Sequence, residues 1–423
     1  MLKIALVGIG TVGGAVADIL QKNRELIASR AGKEIKIVVG VVKNPNRDRK
    51  DLGFKISGDF RDATENPEVD VVVELMGGVD RAYEVVSSAL QNKKAVVTAN
   101  KALLAYRRYE LEEMAQSLPF AYEASVAGGI PIIRALRDGL GANHIESIRG
   151  IINGTCNYML TQMFERRIGF DQALKEAQDL GYAEADPTFD VGGFDAAHKL
   201  LILASLAYGV DAKPDDILIE GIGHLAEDDI AFAEEFGYTI KSLAIAKKVG
   251  GKVSLRVHPA LISRESMISK VDGVMNAVSL VGDKVGETFY YGAGAGGEAT
   301  ASSVIADLIA IARGGSSPML GFSRPSETPL ALTQKDEIES KYYIRLLVSD
   351  VAGVLAQIAA ILAKHNISIE TLLQRKNRVD SDTANLLLST HIAAEPNLNS
   401  ALKAIAELAF VKAAPVMIRI ESQ

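Results

Sequence analysis

The stretch LKIALVGIGTVGG, residues 2–14, constrains the fold more than any other. Leu2–Val7 is a short apolar run of strand character, and helical periodicity runs over Val12–Lys22. Between them lies the turn Gly8, Gly10, Thr11, Val12 and Gly13. Gly8 permits the tight turn, Gly10 lets backbone approach a pyrophosphate, and Gly13 allows helix and strand to pack closely. The positive end of the helix then faces the phosphates. Without its flanks such a pattern is a glycine turn and nothing more; here a βαβ pattern continues after it. Ile35–Val42, Val69–Glu74 and Ala95–Thr98 read as strands buried on both faces, alternating with helical patterns at Arg81–Asn92 and Lys101–Leu118. That alternation predicts an α/β fold with a Rossmann-type parallel sheet.

The second strand is followed by Lys43, with Arg47 and Arg49 close behind. An acidic residue there would bond the ribose of NAD, whereas cations favour the 2′-phosphate of NADP. Arg47 and Arg49 read equally well as solvated loop charges.

Beyond residue 130 the pattern changes to helices followed by alternating runs at Lys252–Ala260, Gly273–Val281 and Lys284–Tyr291, an α+β block with a sheet face exposed or used between subunits. Thr300–Arg313 is helical and is expected to return to the first domain. Gly314–Glu339 is rich in Gly, Ser, Pro and charge. A strand (Tyr342–Ser349), helix (Gly353–Lys364), two strands (Ile367–Gln374, Thr383–Thr390), helix (Asn399–Leu408) and strand (Val416–Ile420) then give a βαββαβ, ferredoxin-like order, read as an autonomous module. The division is therefore 1–130 with about 300–320 for the dinucleotide, 131–299 for catalysis and dimerisation, 321–340 as linker, and 341–423 as the terminal module.

Three segments carry candidate chemistry. VTANK puts Thr98, Asn100 and Lys101 at a strand's carboxyl end, where open α/β sheets bind ligands; a lysine there either starts a helix on the surface or reaches the reacting atoms. YEASVAGGIP, Tyr122–Pro131, is a backbone-dense loop with one carboxylate, Glu123. Its oxygens suit a hard monovalent cation, sodium or potassium, and it also reads as a tight interdomain turn. In GYAEADPTFDVGGFDAAHKLLILA, Glu184, Asp186, Asp190 and Asp195 precede Lys199 on a mostly apolar helix. Asp195 and Lys199 stand at i and i+4 and share a face. Carboxylates can grip an ammonium while a lysine protonates a carbonyl oxygen as hydride arrives at its carbon.

Taken together, GIGTVG, VVTANK, YEASVAGGIP, NGTCNYML, GYAEADPTFDVGGFDAAHKL and YGAGAGGEATASSV resemble, in order, the homoserine dehydrogenase family over about residues 1–320. The terminal module resembles an ACT domain, on its βαββαβ order and the SDVAGVLAQIA turn. The resemblance implies NAD(P)-dependent interconversion of L-homoserine and L-aspartate 4-semialdehyde, on the way to threonine, methionine and isoleucine. It makes Lys199 the proton donor with Lys101 beside the carbonyl. It gives Glu184, Asp195, Asp190, Tyr182, Gly154 and Thr155 to the substrate, and Gly181 with Gly294 or Gly297 to the cofactor, alongside the Gly8–Gly13 turn, Lys43, Thr98 and Lys101. It assigns the cation to Glu123 with the carbonyls of Val126, Gly128 and Ile130, and reads Asp186–Pro187 as a turn. It further implies a homodimer or homotetramer and inhibition by threonine bound near Asp350–Val354; a module that only dimerises is the other reading of that segment.

The family carries Thr or Ser where this chain has Cys156. That admits a cysteine-dependent semialdehyde dehydrogenase, although no histidine sits nearby in sequence to activate a thiol. A non-catalytic sensor of NADP and an amino acid is the second alternative. Across the 423 residues, 48% hydrophobic and 23% charged content predicts soluble globular domains with sizeable cores. Net charge −7 gives no reason to expect nucleic acid, and no run is long enough to cross a membrane. A single cysteine fits a reducing cytoplasm.

Overall fold

In the computed structural model, residues 1–47, 51–324, 330–376 and 382–421 are described. Six strands form a parallel sheet in the order Lys55–Ser57, Ile35–Val41, Leu2–Val7, Val71–Glu74, Ala95–Thr98, Phe120–Ala121. The order reverses at Leu2–Val7, so its carboxyl end is a topological switch point. Strand runs such as VVVE and AVVT are wholly buried, as expected for a sheet covered on both faces. The helix Gly297–Ala312 does return to this domain: Ala301, Val304, Leu308 and Ala312 share a core with Leu6, Val16 and Leu20. The helix Arg24–Ala31 has almost no apolar periodicity and was not anticipated; only Ile27 and Ala31 are buried on it.

The second sheet runs Gly286–Ala293, Met275–Gly282, Ile145–Ile151, Tyr238–Val249, Lys252–Ser263, Val416–Glu421, Glu339–Ser349, Thr383–Thr390, Ile369–Lys376 along its main path. An exposed face is absent from Lys252–Ser263, whose inner residues are all buried. Val253, Leu255 and Val257 pack with the helix Phe194–Tyr208, while Ala260 and Ile262 pack on Ile268 and Val271.

The terminal βαββαβ unit is present and shares a sheet with the region before it. Its last strand pairs in parallel with Lys252–Ser263, Ala260 opposite Arg419, so one sheet crosses both regions. One face carries Ile344, Leu346, Ile358 and Leu398 as the module's own core. The other, with Tyr343, Leu387, Ile418 and Ile420, packs against Met159, Leu160, Ile230 and Phe232. Part of the expected linker is also in the sheet, Ala331–Leu332 pairing with Lys252–Val253.

A buried carboxylate fastens this contact. Asp229, fully buried on the helix Glu227–Glu235, accepts from Tyr343 Oη at 2.8 Å, Arg345 Nε at 2.7 Å and its own helix's Ala226 N at 2.8 Å. Asp229→Ala leaves the phenol and guanidinium without their partner, which costs about 3 kcal/mol when one member of a buried pair is lost. The expected outcome is a lower midpoint in urea unfolding; an unaltered midpoint would show that the contact contributes nothing.

Candidate active site

The glycine turn has the geometry its sequence demands. Gly8 sits at φ +99°, and a Cβ on it would lie 2.6 Å from the Leu75 carbonyl oxygen. A Cβ on Gly13 would lie 2.2 Å from the Gly8 oxygen, so both must be glycine. Around Gly10 there is open space, the room a phosphate needs. Thr11 begins the helix Thr11–Lys22 and supports Gly297, whose Cβ would meet Thr11 at 3.1 Å.

A cleft of about 410 Å³ opens beside this turn, lined among others by Val12, Asn100, Lys101, Gly128, Phe189, Lys199 and Gly294. It joins the carboxyl edge of the parallel sheet to the start of the helix Phe194–Tyr208. Lys101 begins the helix Lys101–Ala115, capped by Asn100, whose Oδ1 accepts from Leu103 N at 3.0 Å. Thr98 was expected at the cofactor; its hydroxyl donates to buried Glu74 at 2.6 Å and accepts from Asn100 N at 3.0 Å, which anchors this cap.

Asp195 is the centre of the site. It projects from the first turn of its helix, which Gly193 enters at φ +88°. Its Oδ1 lies 3.0 Å from Lys101 Nζ, and its Oδ2 accepts from Lys199 Nζ and Asn153 Nδ2, both at 2.8 Å. Burial alone would raise its pKa, but the ammonium groups of Lys199 and Lys101 outweigh burial and hold it well below the carboxylate range. Asp195 was expected to grip a substrate ammonium; what it grips here is the pair of lysines. Lys199 also donates to the Ile152 carbonyl at 2.6 Å, so two of its three N–H bonds are engaged and the third is available to the cleft.

Asn153 was missed as a site residue. It caps the helix Gly154–Arg166 through Cys156 N, and its amide spans Asp195 and Asp190, 2.8 Å from each. Asparagine before Gly-Thr is a helix-cap signal, and that signal could have found it. Burial raises Asp190, opposed by Asn153. Thr155 donates to the Tyr182 carbonyl at 2.6 Å. A Cβ on Gly154 would lie 2.8 Å from the Val274 oxygen, and one on Gly294 would overlap Asn276. Asp186 caps Thr188 N at 3.1 Å, the anticipated turn.

Other expected residues stand outside the cleft lining. Tyr182 and Glu184 are exposed, the Glu184 carbonyl accepting from Gln178. Gly181 is exposed at φ +74°, and Lys43 is exposed after the second strand. Arg49 lies outside the described residues.

Glu123 is buried. Its carboxylate accepts from Ile133 N at 2.7 Å and Arg134 N at 3.0 Å, while its own N–H donates to buried Asp307 at 2.9 Å. Burial first and Asp307 second push its pKa up to about 7. Arg134 bonds Asp307 at 2.6 Å, so two buried carboxylates share one guanidinium. The Gly128 carbonyl accepts from Ser303 Oγ at 2.7 Å. Among the described residues no three His, Cys, Asp or Glu side chains cluster as a metal site; a site with one carboxylate and carbonyl oxygens lies outside that pattern.

Cys156 is not a nucleophile in this geometry. It is buried, its thiol donates to the Asp190 carbonyl at 3.3 Å, and burial with Asp190 and Asp195 pushes its pKa up, away from thiolate. The cysteine-dependent reading falls on that arrangement. Among the described residues no helix is long and apolar enough to cross a membrane.

Comparison with known proteins agrees with this geometry. The family model for the homoserine dehydrogenase NAD-binding domain matches residues 8–122, that for homoserine dehydrogenase matches 131–309, and that for the ACT domain 342–410. A homoserine dehydrogenase of Helicobacter pylori is 57% identical over 421 residues, covering 100% of this chain and 99% of its own. The crystal structure of a homoserine dehydrogenase from Thiobacillus denitrificans superposes with TM-score 0.91 at 44% identity over 99% of this chain and 98% of its own. A hyperthermophilic archaeal homoserine dehydrogenase in complex with NADPH gives TM-score 0.62 at 26% identity, over 73% of this chain and 97% of its own. These relatives are enzymes, which removes the non-catalytic sensor.

Cys156→Ser is expected to keep most homoserine oxidation, read as reduced nicotinamide appearing at 340 nm in a standard assay; near-total loss would restore the thiol to the chemistry.

Proposed function

The chain belongs to the homoserine dehydrogenase family, and from that premise we propose how its residues divide the work. The reaction is NAD(P)-dependent interconversion of L-homoserine and L-aspartate 4-semialdehyde. The observation that carries the proposal is the Asp195 carboxylate bridging two lysines at the edge of a cleft that begins at the glycine turn.

In the reductive direction Lys199 gives a proton to the carbonyl oxygen, through the N–H that neither Ile152 nor Asp195 occupies. Lys101 holds the same oxygen electrostatically, and Asp195 keeps both lysines close to it. A bound nicotinamide dinucleotide supplies or accepts the hydride. Asp190, Asp195 and Glu184 form the anionic side that favours a substrate ammonium, with Tyr182, Gly154 and Thr155 closing the substrate end. Exposure of Glu184 and Tyr182 is compatible with a loop that substrate draws in. Gly8, Gly10, Thr11, Val12, Gly13, Gly294 and Gly297 form the cofactor side, with Thr98 behind it on Glu74 and Asn100. Lys43 after the second strand supports NADP over NAD, and the NADPH complex of the archaeal relative supports the same preference.

A monovalent cation, sodium or potassium, belongs beside Glu123 with the carbonyls of Val126, Gly128 and Ile130. Two buried carboxylates opposed by one guanidinium leave a charge deficit that a cation would offset. The ACT domain supports threonine as a feedback effector near Asp350–Val354, in a cytoplasmic homodimer or homotetramer acting in threonine, methionine and isoleucine synthesis.

Lys199→Ala is expected to bind NADP normally, by fluorescence titration, while homoserine oxidation at alkaline pH falls by about 10²–10⁴. Turnover within a few fold of the original chain would refute the proton donor. The same assay run with threonine tests the effector, inhibition being the expected result.

The cation makes a separate prediction. A carboxyl raised in the folded state binds more protons folded than unfolded, so its contribution weakens as pH rises from the ordinary value of 4.5 through about 7. Sodium must displace that proton. Adding sodium should therefore raise Tm more at about pH 8.5 than at about pH 5.5, and Glu123→Gln should remove the difference. An equal sodium effect at both pH values would place the ion elsewhere.

A further inference from the structure

The strand Val416–Glu421 lies between Lys252–Ser263 and Glu339–Ser349, with Arg419 opposite Ala260 on one side and Tyr342 on the other. Arg419 is fully buried, and its guanidinium is shared by two carboxylates from distant parts of the chain. Glu220, beside the catalytic helix, takes Nη1 at 2.7 Å and Nη2 at 2.9 Å. Glu395, on the module's helix Glu395–Ala406, takes Nε at 2.9 Å and also bonds Nη2. Only a planar fork can satisfy both carboxylates in one place; a lysine has no such geometry.

Glu220 in turn is tied to the substrate end of the site. Its N–H donates to the Val257 carbonyl at 2.8 Å, and the next glycine, Gly221, presses on the Val191 carbonyl so closely that a Cβ would lie 2.5 Å from it. Ile222 N donates to that same Val191 oxygen at 2.9 Å. Residues 220–222 are therefore the seat of the Gly192–Gly193 turn. Asp190 lies two residues before that turn and Asp195 two residues after it.

We propose that Arg419 is a positioning residue for the reaction: through Glu220 and the Gly192–Gly193 turn it sets the placement of Asp190 and Asp195, so the C-terminal module helps to build the homoserine site. The proposal rests on the assignment of those two carboxylates to the substrate end. The glycine turn that begins the cofactor side belongs to the other sheet and is independent of this contact.

The test compares Glu220→Gln with Glu395→Gln in the full chain. Each removes one of the two charges on Arg419, so a purely structural role predicts matched effects on Tm and on kinetics. The proposal instead predicts comparable Tm losses with a homoserine KM raised on the order of tenfold for Glu220→Gln alone, NADP KM staying within about twofold. Gly221→Ala pushes on Val191 without touching Arg419 and should reproduce that homoserine effect. Equal homoserine KM values for the two Gln variants, or an unchanged KM in both Glu220→Gln and Gly221→Ala, would overturn it. Asp195→Asn in the same assay separates the two levels: wild-type kinetics there would sink the substrate-end assignment, whereas collapse there with Glu220→Gln unaffected would sink only the coupling.

Discussion

A carboxylate buried between two ammonium groups governs the arrangement of this molecule. Taking Asp195 out of water costs several kcal/mol unless its oxygens are fully engaged. Lys101, Lys199 and Asn153 engage them. The converse matters as much: the carboxylate between them offsets the mutual repulsion of two lysines brought to one cleft. Only the Asp195–Lys199 pair of this triad is local in sequence. Lys101 starts a helix on the parallel sheet, and Asp195 and Lys199 belong to a helix packed on the second sheet. The site exists only where the two meet.

That junction is stiffened independently of the catalytic groups. Arg108, buried on the Lys101 helix, donates to Ser205 Oγ at 2.6 Å on the Lys199 helix and to the Ala212 carbonyl at 2.6 Å. Burial pulls its pKa down, yet a guanidinium stays charged at any working pH, so this tie does not titrate with the site. At the other end of the cleft the Gly128 and Gly294 loops interlock. A Cβ on Gly128 would strike the Gly294 carbonyl at 2.6 Å, and Gly129 N donates to the Ala293 carbonyl at 3.0 Å. Glycines in YGAGAGG thus serve loop-to-loop contact as much as cofactor contact.

What could be read from the sequence was whatever depends on neighbours along the chain. The strand, turn and helix at Gly8–Gly13, the i,i+4 placement of Asp195 and Lys199, and the return of the helix Gly297–Ala312 all follow from local pattern or from apolar periodicity. Asn153 was invisible as a bridge because its two carboxylate partners stand 37 and 42 residues away. The ion pair of Lys101 with Asp195 spans a still longer separation. Pattern also says nothing of which distant charges will meet: Asp195, expected at the substrate, also stands between two lysines. The two-residue strands Phe120–Ala121 and Ala331–Leu332 are too short to carry a period.

The C-terminal module shows what the pattern of a separate unit leaves out. Its βαββαβ pattern specifies one buried face, and a strand's second face cannot be assigned until its partner is known. In Val416–Glu421 the even positions Ile418 and Ile420 enter the core shared with Met159 and Phe232, while Arg419 turns to Glu220 and Glu395. A one-residue slip against Lys252–Ser263 would exchange those faces. The guanidinium would then enter apolar packing, and buried Glu395 would lose its cation, a far greater penalty than any loss of methyl contacts. The charges therefore do what apolar residues there could not: they admit a single register between two regions of sheet, and with it a single position for the turn that carries the catalytic helix.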